Sequence, residues 1–332
     1  MGENYYIVKY SYELKQQWDE FILNSLNGTF LQTRRFLSYH PEGRFIDNSY
    51  IIYNHKNQIS ALLPACVIQD GDKKILSSHS GSTYGGIIIN KKSYLVKDVL
   101  EIIETIDEFA TSEGFSEIRL KITPSIFCLE NNDMLAFCLT YMGYERHYDL
   151  NLYIDFSDYK DNILSNFTQG KRTNVNNCHK ANVQLVKLEK REDIETWYSI
   201  LCETLEKYDR KPVHSLDEIM LLKDQVLQNE CEVYGLYLEG KMIAGSLMFY
   251  FENSKVAHTQ YLSALHEYDK LSPMTFMYYA MIDLAKNKGY KKVSFGIATE
   301  DMGQYLNTGL IFSKECYGAK YSLNDTFIKK LK

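Results

Sequence analysis

Side chains able to move protons or hold anions fall in a few short stretches of this chain. Phe295-Gly296-Ile297-Ala298-Thr299-Glu300-Asp301 leaves an apolar run and ends in two carboxylates. Polar groups at the carboxyl end of a buried strand are favoured site positions. Glu300 or Asp301 can there orient or deprotonate an amine, although Asp301 also suits the cap of a following helix. His258 stands near Gln260 and Tyr261 in another apolar run, while His40 and His79 flank polar turns. Each imidazole titrates in the range a general base needs, and each suits an ordinary structural hydrogen bond equally well. Tyr317 is either a proton donor to a leaving group or a core tyrosine.

Anion contacts point to two further stretches. Gly170-Lys171-Arg172, with His179 and Lys180, forms a basic cluster on a polar run of helical character. It reads as a phosphate contact or as a solvated helix face. Ser80-Gly81-Ser82-Thr83-Tyr84-Gly85-Gly86 is rich enough in glycine to bind a ligand through its backbone, or simply to turn. No HxxxH, HExxH or CxxC spacing occurs, so a metal site has little support. The seven cysteines are odd in number and scattered, which suits reduced thiols in a cytosolic protein. A net charge of −6 excludes a nucleic-acid binder of the basic-stripe type and leaves room only for a local basic patch.

These residues need a scaffold, and the scaffold repeats. Around Tyr50 and again around Val233, two apolar runs are joined by a short polar turn. Each copy continues into a long apolar-striped helix that ends in Gly plus an aromatic. Gly114 pairs with Gly289, Ile118 with Val293 and Gly143 with Gly318, each offset by 175 positions. That period is far beyond the roughly 50 residues of solenoid units. It points to two copies of one α/β domain, with mixed sheets and helices on both faces. The boundary is expected near 155–158, giving domains 1–155 and 156–318. The expected elements include one strand over 59–68, helices over 93–112, 159–180 and 216–228, and strands over 118–122 and 293–296. Ser215 with Glu218 three residues on predicts a capping box. No signal-peptide core and no membrane-length apolar run is present, so a cytoplasmic location is expected, with the inner membrane face as an alternative.

The element order, doubled, resembles the GNAT acyltransferase fold in tandem, as in the Fem-type aminoacyltransferases. Three stretches carry the likeness. Trp18…Phe21-Ile22…Asn27-Gly28-Thr29-Phe30-Leu31-Gln32…Phe36 is similar to the family's opening. Gly170-Lys171-Arg172…Asn176…Lys180 is similar to the basic helix that opens its second domain. Phe295-Gly296…Gly309-Leu310…Phe312-Ser313-Lys314…Tyr317-Gly318-Ala319 is similar to its closing segment. The resemblance implies that the C-terminal strand, 319–332, crosses back to complete the first domain. It implies transfer of an acyl or aminoacyl group to an amine by direct attack, without an enzyme nucleophile. The implied donor is an acyl-CoA or an aminoacyl-tRNA. Acetyl-CoA users carry an R/Q-x-x-G-x-G/A loop, but Leu265–Met274 at that position contains no glycine. The implied acceptor is a nucleotide- or lipid-linked amino sugar of a surface polysaccharide. Two alternatives are a peptidoglycan interpeptide bridge and a degenerate GNAT protein that binds without turnover. The candidate catalytic set is then Glu300, Asp301, Tyr317 and His258. The candidate substrate-binding set is Lys171, Arg172, His40, Gln32, Tyr261 and Tyr84. The second copy is expected to carry most of the chemistry.

Overall fold

The computed structural model describes residues 5–90 and 94–332. The chain forms two compact units. One comprises the residues to Leu150 together with Thr299–Tyr305 and Ser322–Lys332, and the other comprises Asn151–Ala298 and Leu306–Tyr321.

In the first unit the chain runs through β1 (Tyr5–Lys9), α1 (Lys15–Leu23), α2 (Arg34–Leu37), β2 (Tyr50–Asn54), β3 (Ile59–Leu63), β4 (Ala65–Asp70), β5 (Lys73–Ser78) and β6 (Ile88–Ile89). It continues through α3 (Val96–Ser112), β7 (Glu117–Lys121), α4 (Asp133–Tyr141) and the first part of β8 (Glu145–Asp155). Strands β1, β2, β3 and β6 form an antiparallel sheet in that order. Alternation splits its side chains between two cores. Ile51, Leu62 and Ile88 meet Trp18 and Ile22 of α1, while Ile52, Ala61, Leu63 and Ile89 meet α3. The α3 stripe is Val99, Ile102, Ile103, Ile106 and Ala110, while Val96 stays exposed.

The single strand expected over 59–68 is two strands. Pro64 has no N–H for a ladder, and there the chain leaves β3 for β4, which pairs with β5 in a different sheet. Ser93, the expected start of the first long helix, lies outside the described residues, and α3 begins at Val96.

The second unit takes up the rest of β8, then α5 (Gln169–Lys180), β9 (Gln184–Lys187), α6 (Arg191–Glu206) and α7 (Leu216–Leu221). It adds β10 (Cys231–Leu238), β11 (Lys241–Phe251), β12 (Val256–Ala264), α8 (Pro273–Asn287) and β13 (Lys292–Ile297). The chain then forms a small hairpin, β14 (Thr299–Glu300) and β15 (Tyr305–Leu306), before α9 (Thr308–Glu315) and β16 (Lys320–Lys330). The helix expected over 159–180 is only α5. Ahead of it, Ile163–Asn166 is one 3-10 turn capped by Asn162, and Phe167 and Thr168 are extended. The helix expected over 216–228 closes after Leu221 into a π-helical turn, Leu222–Val226. The Ser215–Glu218 capping box forms as expected.

The strand order in the second unit is β8, β13, β12, β11, β10, β9. Helices α5 and α8 share one core with the sheet, through Val175, Cys178, Phe276, Met277 and Met281. Helix α6 meets the sheet through Trp197, which sits so close to Gly245 that a β-carbon there would lie 2.1 Å from its ring. The last strand returns to the first unit, ordered between β7 and β8. It is fastened there by Lys329, which donates 2.6 Å to Asp107 on α3, and by Asp325, which accepts both guanidinium contacts of Arg146 at 3.0 Å.

Candidate active site in the second unit

Strands β12 and β13 are parallel, and they pair only where Val256, Ala257 and His258 face Lys292, Val293 and Ser294. Beyond that point they part, leaving a fork between the two strands. His258 and Ser294 stand at the fork. His258 Nδ1 lies 3.1 Å from Ser294 Oγ, and Ser294 Oγ donates to Asn151 Oδ1 at 3.2 Å. Ser294 and Asn151 are buried. Burial, and then the nearby charge of Lys314, push the His258 imidazole down to about 4. It is therefore neutral at pH 7.

Lys314 supplies the charge. It sits on α9 and is only 2% exposed. Its Nζ donates to the carbonyls of Gly296 and Ile297, both at 3.0 Å. Burial pushes its amine down to about 7. The two acceptors are arranged by the backbone. Gly296 adopts φ +74°, a left-handed conformation that a side chain disfavours, and the register of β13 against β8 slips between Ser294 and Ile297. A tetrahedral amine bonded to Cε and donating to two carbonyls keeps one valence. That valence is a lone pair when the amine is neutral and a third N–H when it is charged. One group can thus accept a proton and then donate to an oxyanion.

The residues singled out in the sequence are spread over several places. His258 lies at the fork. Tyr261 lies on the same face of β12, since His258 faces Phe249 and Tyr261 faces Leu247 in the register. Its hydroxyl is bound to His214 Nδ1 at 2.8 Å. Tyr317 is a core residue, 1% exposed, with its ring stacked on Tyr278 at 4.7 Å. Burial raises its phenol, and Thr275 is its hydroxyl partner. In that environment the phenol stays protonated and bound to Thr275. Lys171 lies over the Tyr317 ring at 4.7 Å, and its Nζ reaches Ser313 Oγ at 3.4 Å. Burial lowers its pKa. Arg172 donates to the Phe167 carbonyl at 2.7 Å. Both cations of the expected phosphate cluster thus have local partners.

Glu300 and Asp301 belong to the first unit, on the β14–β15 hairpin, and both are exposed. Asp301 and Met302 take positive φ at the turn. Asp301 caps no helix, because Asn307 caps α9. Gln32 and Tyr84 are buried in the first unit with internal partners. Gln32 accepts from Thr29 N at 2.7 Å and Thr29 Oγ1 at 2.8 Å, and donates to the Tyr84 carbonyl at 3.1 Å. Tyr84 is 4% exposed and packs on Phe127. The Gly-rich stretch is shaped by packing: a β-carbon at Gly81 would lie 2.3 Å from His40 Nε2, which itself reaches the Gly81 carbonyl at 2.7 Å. Lys314 was visible in the sequence only as a member of the closing segment. Among the described residues, no group of three or more His, Cys, Asp or Glu side chains could hold a metal. No described helix is long and apolar enough to cross a membrane.

The segment before α8, where a CoA diphosphate loop is expected, also lacks the form of such a loop. His266–Leu271 is a 3-10 turn carrying Glu267 and Asp269, and Pro273 occupies the first helical position. Glu267 is paired with Lys241 at 2.6 Å.

Residues 170–305 match the acetyltransferase (GNAT) domain family. No curated protein sequence matches the chain. Among solved structures the chain is similar to FemX, with a TM-score of 0.71 at 12% identity over 98% of this chain and 97% of that one. It is similar to L-PGS from Bacillus licheniformis, with a TM-score of 0.61 at 14% identity over 96% and 91%. It is also similar to a tandem GNAT protein from the clavulanic acid biosynthesis pathway, with a TM-score of 0.58 at 9% identity over 99% of both chains. The fold is a tandem GNAT fold like that of FemX, and the stretch that matches the GNAT domain family lies mostly in the second unit.

Proposed function

We propose that this protein is an N-acyltransferase whose chemistry is carried by the second unit at the fork between β12 and β13. The observation that supports this most is Lys314: a buried amine titrating near 7 beside a neutral imidazole, at the point where two parallel strands part. In this reading the acyl carbonyl enters the fork. Neutral Lys314 takes the proton as the acceptor amine attacks. The resulting ammonium then donates to the oxyanion, which is the electrostatic term acyl transfer needs; as the intermediate collapses, the bond to the donor's oxygen or sulfur breaks and the ammonium returns its proton to that leaving atom. His258, held by Ser294 and Asn151, lines the fork as a neutral hydrogen-bonding group.

The acyl donor belongs to a class not held by a glycine-rich diphosphate loop. The segment before α8 has no glycines to cradle a diphosphate, which favours an aminoacyl-tRNA over an acyl-CoA. The acceptor is an amino group on a nucleotide- or lipid-linked amino sugar of a surface polysaccharide. A peptidoglycan precursor is the competing acceptor. The test is a donor-by-acceptor panel read by mass spectrometry, with Lys314→Met in parallel. Turnover by the native chain that the variant lacks supports the reading. Turnover undiminished in the variant, or binding of donor and acceptor with no product, overturns it.

A further inference from the structure

Between α6 and α7 the chain crosses residues 207–215 as an irregular segment. Its first end is pinned to α6, where Tyr208 and Arg210 both donate to the Leu205 carbonyl, and Asp209 takes φ +53° to make the turn. Its second end enters α7 through the Ser215 capping box. Between the ends, Tyr208 and Val213 are 71% and 69% exposed. Beneath lies a cavity of about 640 Å³ walled by Tyr198, Cys202 and Glu206 of α6 and by Arg210, Pro212 and Val213 of the segment.

The middle of the segment meets the sheet through Tyr261. Its hydroxyl accepts from the Val213 N–H at 3.2 Å and lies 2.8 Å from His214 Nδ1. Tyr198 adds a hydrogen bond from its hydroxyl to the His214 carbonyl at 3.1 Å. Tyr261 shares its face of β12 with His258, about 7–10 Å along the strand. One phenol thus joins an exposed segment to the strand that carries the candidate site. We infer that residues 207–215 form a lid over this cavity, and that Tyr261 is the latch that holds it closed beside the fork. Opening breaks the Tyr261 and Tyr198 contacts while both ends stay fixed independently. Such a segment opens more readily than the sheet beneath it.

The lid carries its own reporters. Cys202 lines the cavity and is the one cysteine of the seven that is not buried. Trypsin can cut after Lys207 and Arg210, while Pro212 protects Lys211. Tyr261→Phe keeps the ring and removes the latch. In the full chain, Cys202 alkylation by iodoacetamide and tryptic nicking within 207–210 should both accelerate about five- to tenfold, as expected for losing one to two hydrogen bonds. Intact-mass analysis identifies both products, and a Cys202→Ser chain confirms the labelled site. If Tyr261→Phe loses its cooperative thermal transition, His214→Ala tests the same latch from the other side. If either rate is unchanged in a folded variant, the segment is not a lid. Neither readout requires turnover, so this inference fails or stands apart from the acyltransfer reading.

Discussion

Lys314→Met keeps the length and apolar stem of the side chain and removes the amine. The folded amine releases its proton near 7, against an ordinary value of 10.5. Because the folded value is the lower one, the unfolded chain binds more protons between those limits. The stability of the native protein therefore rises with pH across that window. Each pH step inside it is worth about 1.36 kcal/mol. From pH 7 to pH 10 the native chain should thus gain on the order of 3–4 kcal/mol relative to the variant, which has nothing to titrate there. At pH 7 the variant is relieved of roughly 4 kcal/mol of amine desolvation. It gives up two hydrogen bonds to the Gly296 and Ile297 carbonyls, worth about 0.5–1.5 kcal/mol each. The net is a variant more stable by roughly 1–3 kcal/mol at pH 7, a rise of several degrees in Tm. Scanning calorimetry of both chains at pH 7, 8 and 9 reads the gap, which should shrink at each step. A gap that stays constant would refute the burial argument, and with it the reason for placing the chemistry at this amine. The same variant should lose acyl transfer, so stability and activity should move in opposite directions.

Three further outcomes follow from the geometry. Gly296→Ala meets no clash, since His258 Cε1 is 3.6 Å from the new β-carbon, yet it strains a backbone at φ +74°; a loss of about 1–2 kcal/mol and weaker turnover are expected, and unchanged denaturant midpoints would contradict this. Gln32→Leu leaves the Thr29 amide and hydroxyl without their acceptor and should cost roughly 2–4 kcal/mol in urea unfolding while KM stays put; a raised KM at unchanged stability would return Gln32 to the substrate. Burial alone would raise the Glu232 carboxyl, but hydrogen bonds from Lys288, Tyr234 and Lys187 outweigh it and hold it at about 2. Its contribution to stability is present above about 4.5 and fades as pH falls toward 2, so Glu232→Gln should flatten the acid limb of a Tm-against-pH curve.

The parts of this protein that the sequence makes legible are those set by local rules. Gly114, Gly143, Gly289 and Gly318 were picked out by spacing alone. All four adopt positive φ where a helix ends before a strand, which a left-handed C-terminal residue requires. His258 was legible as a polar residue in an apolar strand. Lys314 was not, because α9 inverts the usual rule: its Phe312 is 69% exposed while Lys314 is 2% exposed. A hydrophobic pattern would bury the first and solvate the second. Only the carbonyls turned by Gly296, 18 residues earlier in the chain, give the amine a reason to be inside. Gln32 and Tyr84 are the converse case. Polar tips near a glycine-rich stretch suggest a ligand, yet their partners come from Thr29, Thr123 and Phe127, contacts that no local pattern announces.

The placement of β16 has a consequence for how the chain is made. Within the first unit this strand is ordered between β7 and β8, yet it leaves the ribosome after both of them and after the whole of the second unit's sheet. The sheet of the first unit is missing an interior strand until Lys330 has been made, while the segments of the second unit, ending at Tyr321, are all available earlier. A ribosome that stalls over residues 322–330 would therefore harm the half of the protein it translated earlier. Stop codons within that stretch should be as damaging as those inside the first 150 residues.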